Sequence, residues 1–99
     1  MTIEKFPEPF QHDIETAVSV LCSLGAQHVY IFGSLVEGSQ DKPARDIDIA
    51  VDGLPQTSFF KAYGELLMKL DHEFDLVDLS NEAAFSRRLK ESGRLERVA

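Results

Sequence analysis

The stretch from residue 31 to residue 51 constrains the chain most, because it joins two apolar runs through a polar turn. The first run ends at Gly33-Ser34, and the second carries Asp46 and Asp48 in an alternation of acidic and apolar residues. This two-residue period is typical of a β-strand, in which both aspartates lie on one face and the apolar residues on the other. The apolar face belongs on a core, whereas adjacent carboxylates repel each other. The pattern therefore predicts a positively charged ligand at the acidic face, and a divalent cation is the first candidate.

A third acidic residue, Asp75, occurs within another predicted strand, between Glu73 and Leu79. Its neighbours in the sequence are apolar, and a lone carboxylate would be costly to bury among them. If the two strands are neighbours, Asp75 joins Asp46 and Asp48, and three carboxylates make an oxygen-ligand site for Mg²⁺. Two such ions would align a nucleophile and a leaving pyrophosphate for in-line displacement, with Asp75 as the base near an attacking hydroxyl.

Gly33 and Ser34 have a complementary role in this interpretation. A glycine at the end of a strand lets the backbone approach a ligand closely, and the turn that follows can point its N–H groups outward. The Ser34 hydroxyl can donate a hydrogen bond to a terminal phosphate. A Gly-Ser pair alone indicates little, because turns often contain both residues. Together with an Asp-x-Asp strand and a third strand aspartate, it indicates a nucleotide site.

The whole chain predicts one domain over residues 1–99, a small α/β (α+β) sandwich with helices on one face of the sheet. The sheet would have three strands or slightly more, and its other face would carry the aspartates, open to a ligand. The predicted elements are an irregular arm at 1–9, a helix from Phe10 to Leu24, a strand from His28 to Phe32, a short helical segment after Gly33, a strand from Asp46 to Val51, a helix from Thr57 to Leu70 capped by Thr57, the strand from Glu73 to Leu79, a helix from Ser80 to Lys90 and a tail at 94–99.

Charge and composition argue against several classes of protein. The chain has 10 Lys and Arg against 17 Asp and Glu, a net charge of −7, whereas proteins that bind nucleic-acid polymers normally carry a basic patch. No apolar run approaches the length of about eighteen residues that a membrane span needs, and the N-terminus lacks the pattern of a signal peptide. The single cysteine, Cys22, fits a cytoplasmic location and is expected to be a buried, inert thiol.

Three motifs together carry a family resemblance. They are Phe32-Gly33-Ser34, then Asp46-Ile47-Asp48-Ile49 after a spacer of eleven residues, and Phe74-Asp75-Leu76-Val77. With these motifs the sequence resembles the minimal nucleotidyltransferase (MNT) group of the DNA polymerase beta superfamily. The resemblance extends over residues from about 12 to 90, and it implies the palm-like sandwich of that superfamily with a mixed sheet.

The resemblance also implies an activity and a partner. Asp46 and Asp48 would bind the metal ions, Asp75 would complete the triad, and Gly33 and Ser34 would hold a nucleoside triphosphate. The family's usual reaction transfers a nucleoside monophosphate, commonly AMP from ATP, to a hydroxyl of a protein or a small molecule. Its stand-alone members are often encoded beside a helical HEPN partner and act as antitoxins, some by adenylylating a tyrosine of that partner. We therefore expect such a partner, or a homo-oligomer, to complete the active-site cleft.

The sequence departs from this family at one place that bears on activity. Many relatives carry arginines soon after the Gly-Ser pair, whereas Leu35, Val36 and Glu37 occupy that region here. The cationic contact to a triphosphate would then come from Lys42, from Arg45 or from the partner. Two alternatives follow: an antitoxin that neutralises its partner by binding alone, and a degenerate fold without metal.

Other residues have ordinary interpretations. Asp46 and Asp48, taken without the other motifs, are simply acids at the edge of a loop. The aromatic residues Phe59, Phe60 and Tyr63 recur at helical spacing and indicate either core or a partner surface before a base-stacking role.

Overall fold

The computed structural model of the chain describes residues 3, 6–37, 46–80 and 95–99. Its elements in chain order are α1 (Glu8–Ser23), β1 (His28–Phe32), α2 (Ser34–Glu37), β2 (Ile47–Asp52), α3 (Gln56–Lys69), β3 (Phe74–Asp78) and β4 (Glu96–Arg97). No helix in these ranges has the length and apolar character that crossing a membrane requires. The helix predicted to continue from Ser80 to Lys90, and the loop that contains Lys42 and Arg45, lie outside the described residues.

The four strands form one mixed sheet in the order β3-β2-β1-β4. β1 pairs antiparallel with β2 and with β4, whereas β2 and β3 run parallel to each other. A parallel pair needs a crossover connection, and α3 supplies it between β2 and β3. The predicted mixed sheet with helices on one face is therefore confirmed.

The main core lies between the sheet and the helices α1 and α3. β2 contributes the alternate residues Ile47, Ile49 and Val51, each with no exposed surface, as the two-residue period predicts. The helical side of this core includes Ile14, Ala17, Leu21, Ala62 and Leu66. These buried aliphatic side chains fix the face that β2 turns inward, so they also fix the face on which Asp48 lies.

The opposite face of the sheet is open only in part. Phe32, Ala50 and Leu79 form a second buried cluster there, and Tyr30 and Val77 pack against it partly buried. This face is therefore covered at the Ala50 end. The exposed part of this face lies at the end of the sheet where Asp48 is half-buried and Asp75 is exposed.

Several element boundaries differ from those predicted from sequence. α1 begins at Glu8, because a proline is tolerated in the first turn of a helix and Pro9 occupies it. α3 begins after Pro55 with no side-chain cap, so the predicted capping role of Thr57 is wrong. Cys22, predicted to be buried, is exposed on α1.

The last residues of the chain, predicted as a tail, contain strand β4. Tyr30 and Arg97 are partners in the register between β1 and β4, and the N–H of Val98 donates to the carbonyl of Val29 at 2.9 Å. Val98 is buried in the main core with an exposure of 4%. A strand of two residues has no visible alternation, which is why the sequence did not indicate it.

Candidate active site

The register of β2 and β3 places two of the predicted site residues side by side. Asp48 is the Cα partner of Asp75 in the parallel pair, and Phe32 is the partner of Asp48 across the antiparallel pair with β1. The three residues form one row near one end of the sheet. All three line a cavity of about 310 Å³, together with Tyr63 from α3. The structure therefore brings Asp48 and Asp75 to one opening, as their positions in the strands predicted.

Asp46 occupies a different position from the other two aspartates. It directly precedes β2, is exposed, and lines an adjoining cavity of about 440 Å³. Asp75 and Tyr63 line both cavities, so Asp75 connects the opening that contains Asp46 with the opening that contains Asp48. Within the described ranges, no three His, Cys, Asp or Glu side chains are grouped closely enough to hold a metal ion. Joint metal binding by Asp46, Asp48 and Asp75 stays a prediction.

Gly33 lies between β1 and α2 with a φ of +73°, a left-handed conformation that favours glycine. A Cβ atom at this position would collide with Oδ2 of Asp48 and would lie 3.0 Å from its carboxyl carbon. The sequence indicated that this glycine makes room for a ligand. In the structure the space beside it is occupied by the carboxylate of Asp48, so Gly33 determines where that carboxylate lies. Ser34 begins α2, and its side chain lies outside the described part of the chain.

The residues that follow Ser34 have a packing role. Leu35 and Val36 are partly buried and pack against the main core. This contact gives the two apolar side chains a place in the core. It also means that neither position offers a positive charge to a bound phosphate.

A buried carboxylate that the sequence analysis missed holds the turn before β3. Asp13 on α1 is 1% exposed, and it accepts hydrogen bonds from the backbone N–H groups of Asp71 (3.1 and 3.0 Å) and His72 (2.9 Å). Nδ1 of His72 also lies 2.7 Å from Oδ2 of Asp13. Since this turn leads directly into β3, Asp13 connects α1 to the strand that carries Asp75. An acid on the apolar face of α1, between Phe10 and Ile14, was the available signal.

We expect Asp13→Asn to lower the free energy of unfolding by about 2–3 kcal/mol at pH 7, because charged acceptors of buried hydrogen bonds contribute about this much. Burial acts to raise the pKa of Asp13, but hydrogen bonds from Asp71 and His72 outweigh it and hold this pKa below its usual value. Because this pKa is lower in the folded state than in the unfolded state, the ionised carboxylate stabilises the fold above the unfolded-state pKa of about 4. This stabilisation is lost as the pH falls through the pKa of the folded state.

The difference in stability between wild type and Asp13→Asn should therefore narrow below about pH 4, as urea denaturation at pH 7 and pH 3 would show. Glu15→Gln, which removes an exposed charge from the same helix, is the matched control. An equal loss of stability in the two variants at pH 7 would contradict the role of Asp13.

Comparison with known proteins agrees with this fold. The family model for polymerase beta nucleotidyltransferases matches residues 18–95. The chain therefore belongs to the polymerase beta nucleotidyltransferase family. Among curated proteins, none is similar enough to the chain to count as a match.

Several solved structures share the fold. A toxin–antitoxin structure with AMP-PNP is 26% identical to the chain, with a TM-score of 0.60 over 89% of this chain and 71% of that chain. A substituted form of the MntA–HepT toxin–antitoxin pair is also 26% identical, with a TM-score of 0.62 over 87% of this chain and 71% of that one. The tri-AMPylated Shewanella oneidensis HEPN toxin in complex with MNT antitoxin has a TM-score of 0.63 at 24% identity, covering 90% of this chain and 71% of that chain. At that identity the last likeness concerns the fold alone. The resemblance to MNT proteins is thus confirmed.

Proposed function

We propose that the chain is a Mg²⁺-dependent nucleotidyltransferase that transfers AMP from ATP to a hydroxyl of a partner protein, as the antitoxin of a toxin–antitoxin pair. The observation that carries the proposal is the parallel register of Asp48 and Asp75, with the Asp48 carboxylate packed over Gly33. Membership in the nucleotidyltransferase family supports the reaction class. The toxin–antitoxin structure with AMP-PNP, an analogue of ATP, supports both the nucleotide and the kind of partner.

The side chains of the site have the chemistry that Mg²⁺ requires. Asp46, Asp48 and Asp75 offer carboxylate oxygens, which are the ligands that Mg²⁺ prefers. Asp46 and Asp75 are exposed and Asp48 is half-buried, so each of the three carboxylates is accessible to hydrated ions from solvent. When bound, the metal neutralises the charge that develops on the triphosphate. Two ions are proposed here, in keeping with the family resemblance.

The residues of the chain would then carry out an in-line displacement. The acceptor oxygen forms a bond to the α-phosphorus of ATP, the bond from that phosphorus to the oxygen bridging to the β-phosphate breaks, and pyrophosphate leaves. Asp75 receives the proton of the acceptor hydroxyl, because it is exposed and lines both cavities. Gly33 keeps the carboxylate of Asp48 in place, and the turn that starts at Gly33 and Ser34 would hold the triphosphate.

The position of the label in ATP tests the reaction. The purified chain is incubated with Mg²⁺ and a purified HEPN-type toxin, the proposed partner, once with ATP labelled at the α-phosphate and once at the γ-phosphate. We expect label on the partner from the first only, and none when EDTA removes the metal. Label from the γ-phosphate would indicate a kinase instead, and no label from either would contradict nucleotide transfer.

A second candidate function is an antitoxin that acts by binding alone. It is favoured by the packing of Leu35 and Val36 against the core, which leaves these positions without a cation for the phosphates. Rescue of cells from the partner's toxicity separates the two candidates. Full protection by Asp75→Asn would favour binding alone, whereas loss of protection with the complex intact would favour transfer.

A further inference from the structure

Helix α3 carries an apolar surface that is exposed in the described part of the chain. Among the described residues, every large hydrophobic side chain that is exposed lies on this helix. They are Phe60, Tyr63, Leu67 and Met68, with exposed fractions of 83%, 38%, 61% and 86%. Phe60, Tyr63 and Leu67 are spaced by three and four residues and lie along one face of the helix, and Met68 borders this face beside Leu67. We call these four residues the α3 stripe. Exposed apolar side chains that are grouped in this way are typical of an interaction surface.

Gly64 lies in the middle of the α3 stripe and gives a second, independent indication. A glycine inside a helix is unfavourable relative to alanine, so its presence needs a reason. The described residues provide none, because a Cβ atom at Gly64 would have no neighbour within 4 Å other than the nearby backbone of its own helix. A partner whose backbone approaches this helix closely would provide one.

The α3 stripe is continuous with the candidate active site. Tyr63 lines both cavities that contain the aspartates, and Leu67 lines the larger of them. The same cavity is bordered by the exposed acids Asp71 and Glu73. An occupant of the stripe therefore lies against the opening at Asp75 and beside a strongly acidic border.

We propose that the α3 stripe docks an amphipathic helix of the partner protein, with basic residues of that helix facing Asp71 and Glu73. This proposal rests on the proposed function, since the partner that occupies the stripe is the one that presents its hydroxyl at Asp75. Apolar side chains spaced like those of the stripe are suited to a helix packed along a helix. Charge favours a basic partner over a second copy of this chain, because each copy carries a net charge of −7.

Binding can be measured without chemistry by placing each stripe substitution in the Asp75→Asn background. The probe is the same purified HEPN-type toxin, titrated into each variant in a calorimeter. Phe60→Ser and Leu67→Ser should each weaken the complex at least about tenfold, because truncating a central interface side chain has this effect. Ser19→Ala, an exposed change on α1, is the control and should bind as the background does.

Gly64→Ala gives the sharper result, since its effects on stability and on binding have opposite directions. Replacing a half-buried helical glycine with alanine, where the added methyl group meets no described neighbour, should raise the midpoint of thermal unfolding by about 4–8 °C. The same methyl group would keep a partner helix from close approach, so the complex should weaken although the chain is more stable. Unchanged binding by Gly64→Ala, Phe60→Ser and Leu67→Ser would overturn the proposal.

Two further results would overturn the docking surface: no complex with this probe, or self-association of the chain that Phe60→Ser abolishes. The outcome is separate from that of the proposed function. If the stripe variants lose binding but no label is transferred by the unsubstituted chain, docking stands and nucleotide transfer fails. If label is transferred equally by the stripe variants, the docking surface alone fails.

Discussion

Asp75→Asn is expected to slow nucleotide transfer to the partner by about 10²–10⁴-fold, the range that a general base contributes. Asparagine keeps the size of the side chain but cannot take the proton of the acceptor hydroxyl. Because Asp75 is exposed, the substitution should change the free energy of unfolding by less than about 0.5 kcal/mol. Single-turnover transfer of α-labelled ATP at saturating partner concentration measures the rate of the chemical step without a contribution from binding.

Asp71→Asn is the matched control for this experiment. Asp71 is exposed and lines the same cavity of about 440 Å³, and its replacement makes the same chemical change. Its hydrogen bond to Asp13 uses the backbone N–H, which the substitution leaves intact. Equal slowing in the two variants would show that the site needs only negative charge at this opening, and it would contradict a specific role for Asp75.

The structural features that could be predicted from sequence are those that depend on the pattern of neighbouring residues. The alternation from Asp46 to Asp52 gave the inward face of β2, because a strand that covers a core must turn every second side chain toward it. The apolar strand β1 was located with its observed limits, His28 and Phe32. The inference that Asp75 lies near Asp48 needed one more condition, that β2 and β3 are neighbours, and the parallel register meets it.

The residues that could not be predicted depend on contacts between distant parts of the chain. Asp13 lies on the apolar face of α1, but the residue that donates a hydrogen bond to it, Asp71, is 58 positions away, and no local pattern identifies that partner. β4 exists because β1 had an unpaired edge, a property of the assembled sheet rather than of residues 96 and 97. The exposure of Phe60 and Met68 likewise follows from the orientation of α3 on the sheet.

Gly33 could be identified from sequence as a site residue, but only part of its physical role could be predicted. The glycine was singled out because a backbone without a side chain can approach a ligand. The structure adds that the missing side chain leaves room for the carboxylate of Asp48, which approaches from the neighbouring strand. The turn at Gly33 and the strand that carries Asp48 are therefore coupled, and a substitution in the turn should move the carboxylate of Asp48.

Gly33→Ala should accordingly impair both stability and activity. An alanine held at a φ of +73° is strained by about 1–3 kcal/mol, which urea denaturation would detect as a lower free energy of unfolding. Its Cβ would also displace the carboxylate of Asp48. Since a shift of about 1 Å in a positioned group can reduce a rate about 10²-fold, transfer should fall by about that factor.

Gly25→Ala separates the two effects, because Gly25 also has a positive φ, of +109°, but lies away from the aspartates. A Cβ at Gly25 would lie 3.4 Å from Cδ of Pro55, an ordinary contact, so backbone strain is the main consequence. We expect both glycine variants to lose stability and only Gly33→Ala to lose transfer, when each is assayed well below its unfolding midpoint. If Gly25→Ala reduces transfer equally, the loss comes from general destabilisation, and the contact between Gly33 and Asp48 has no special part in catalysis.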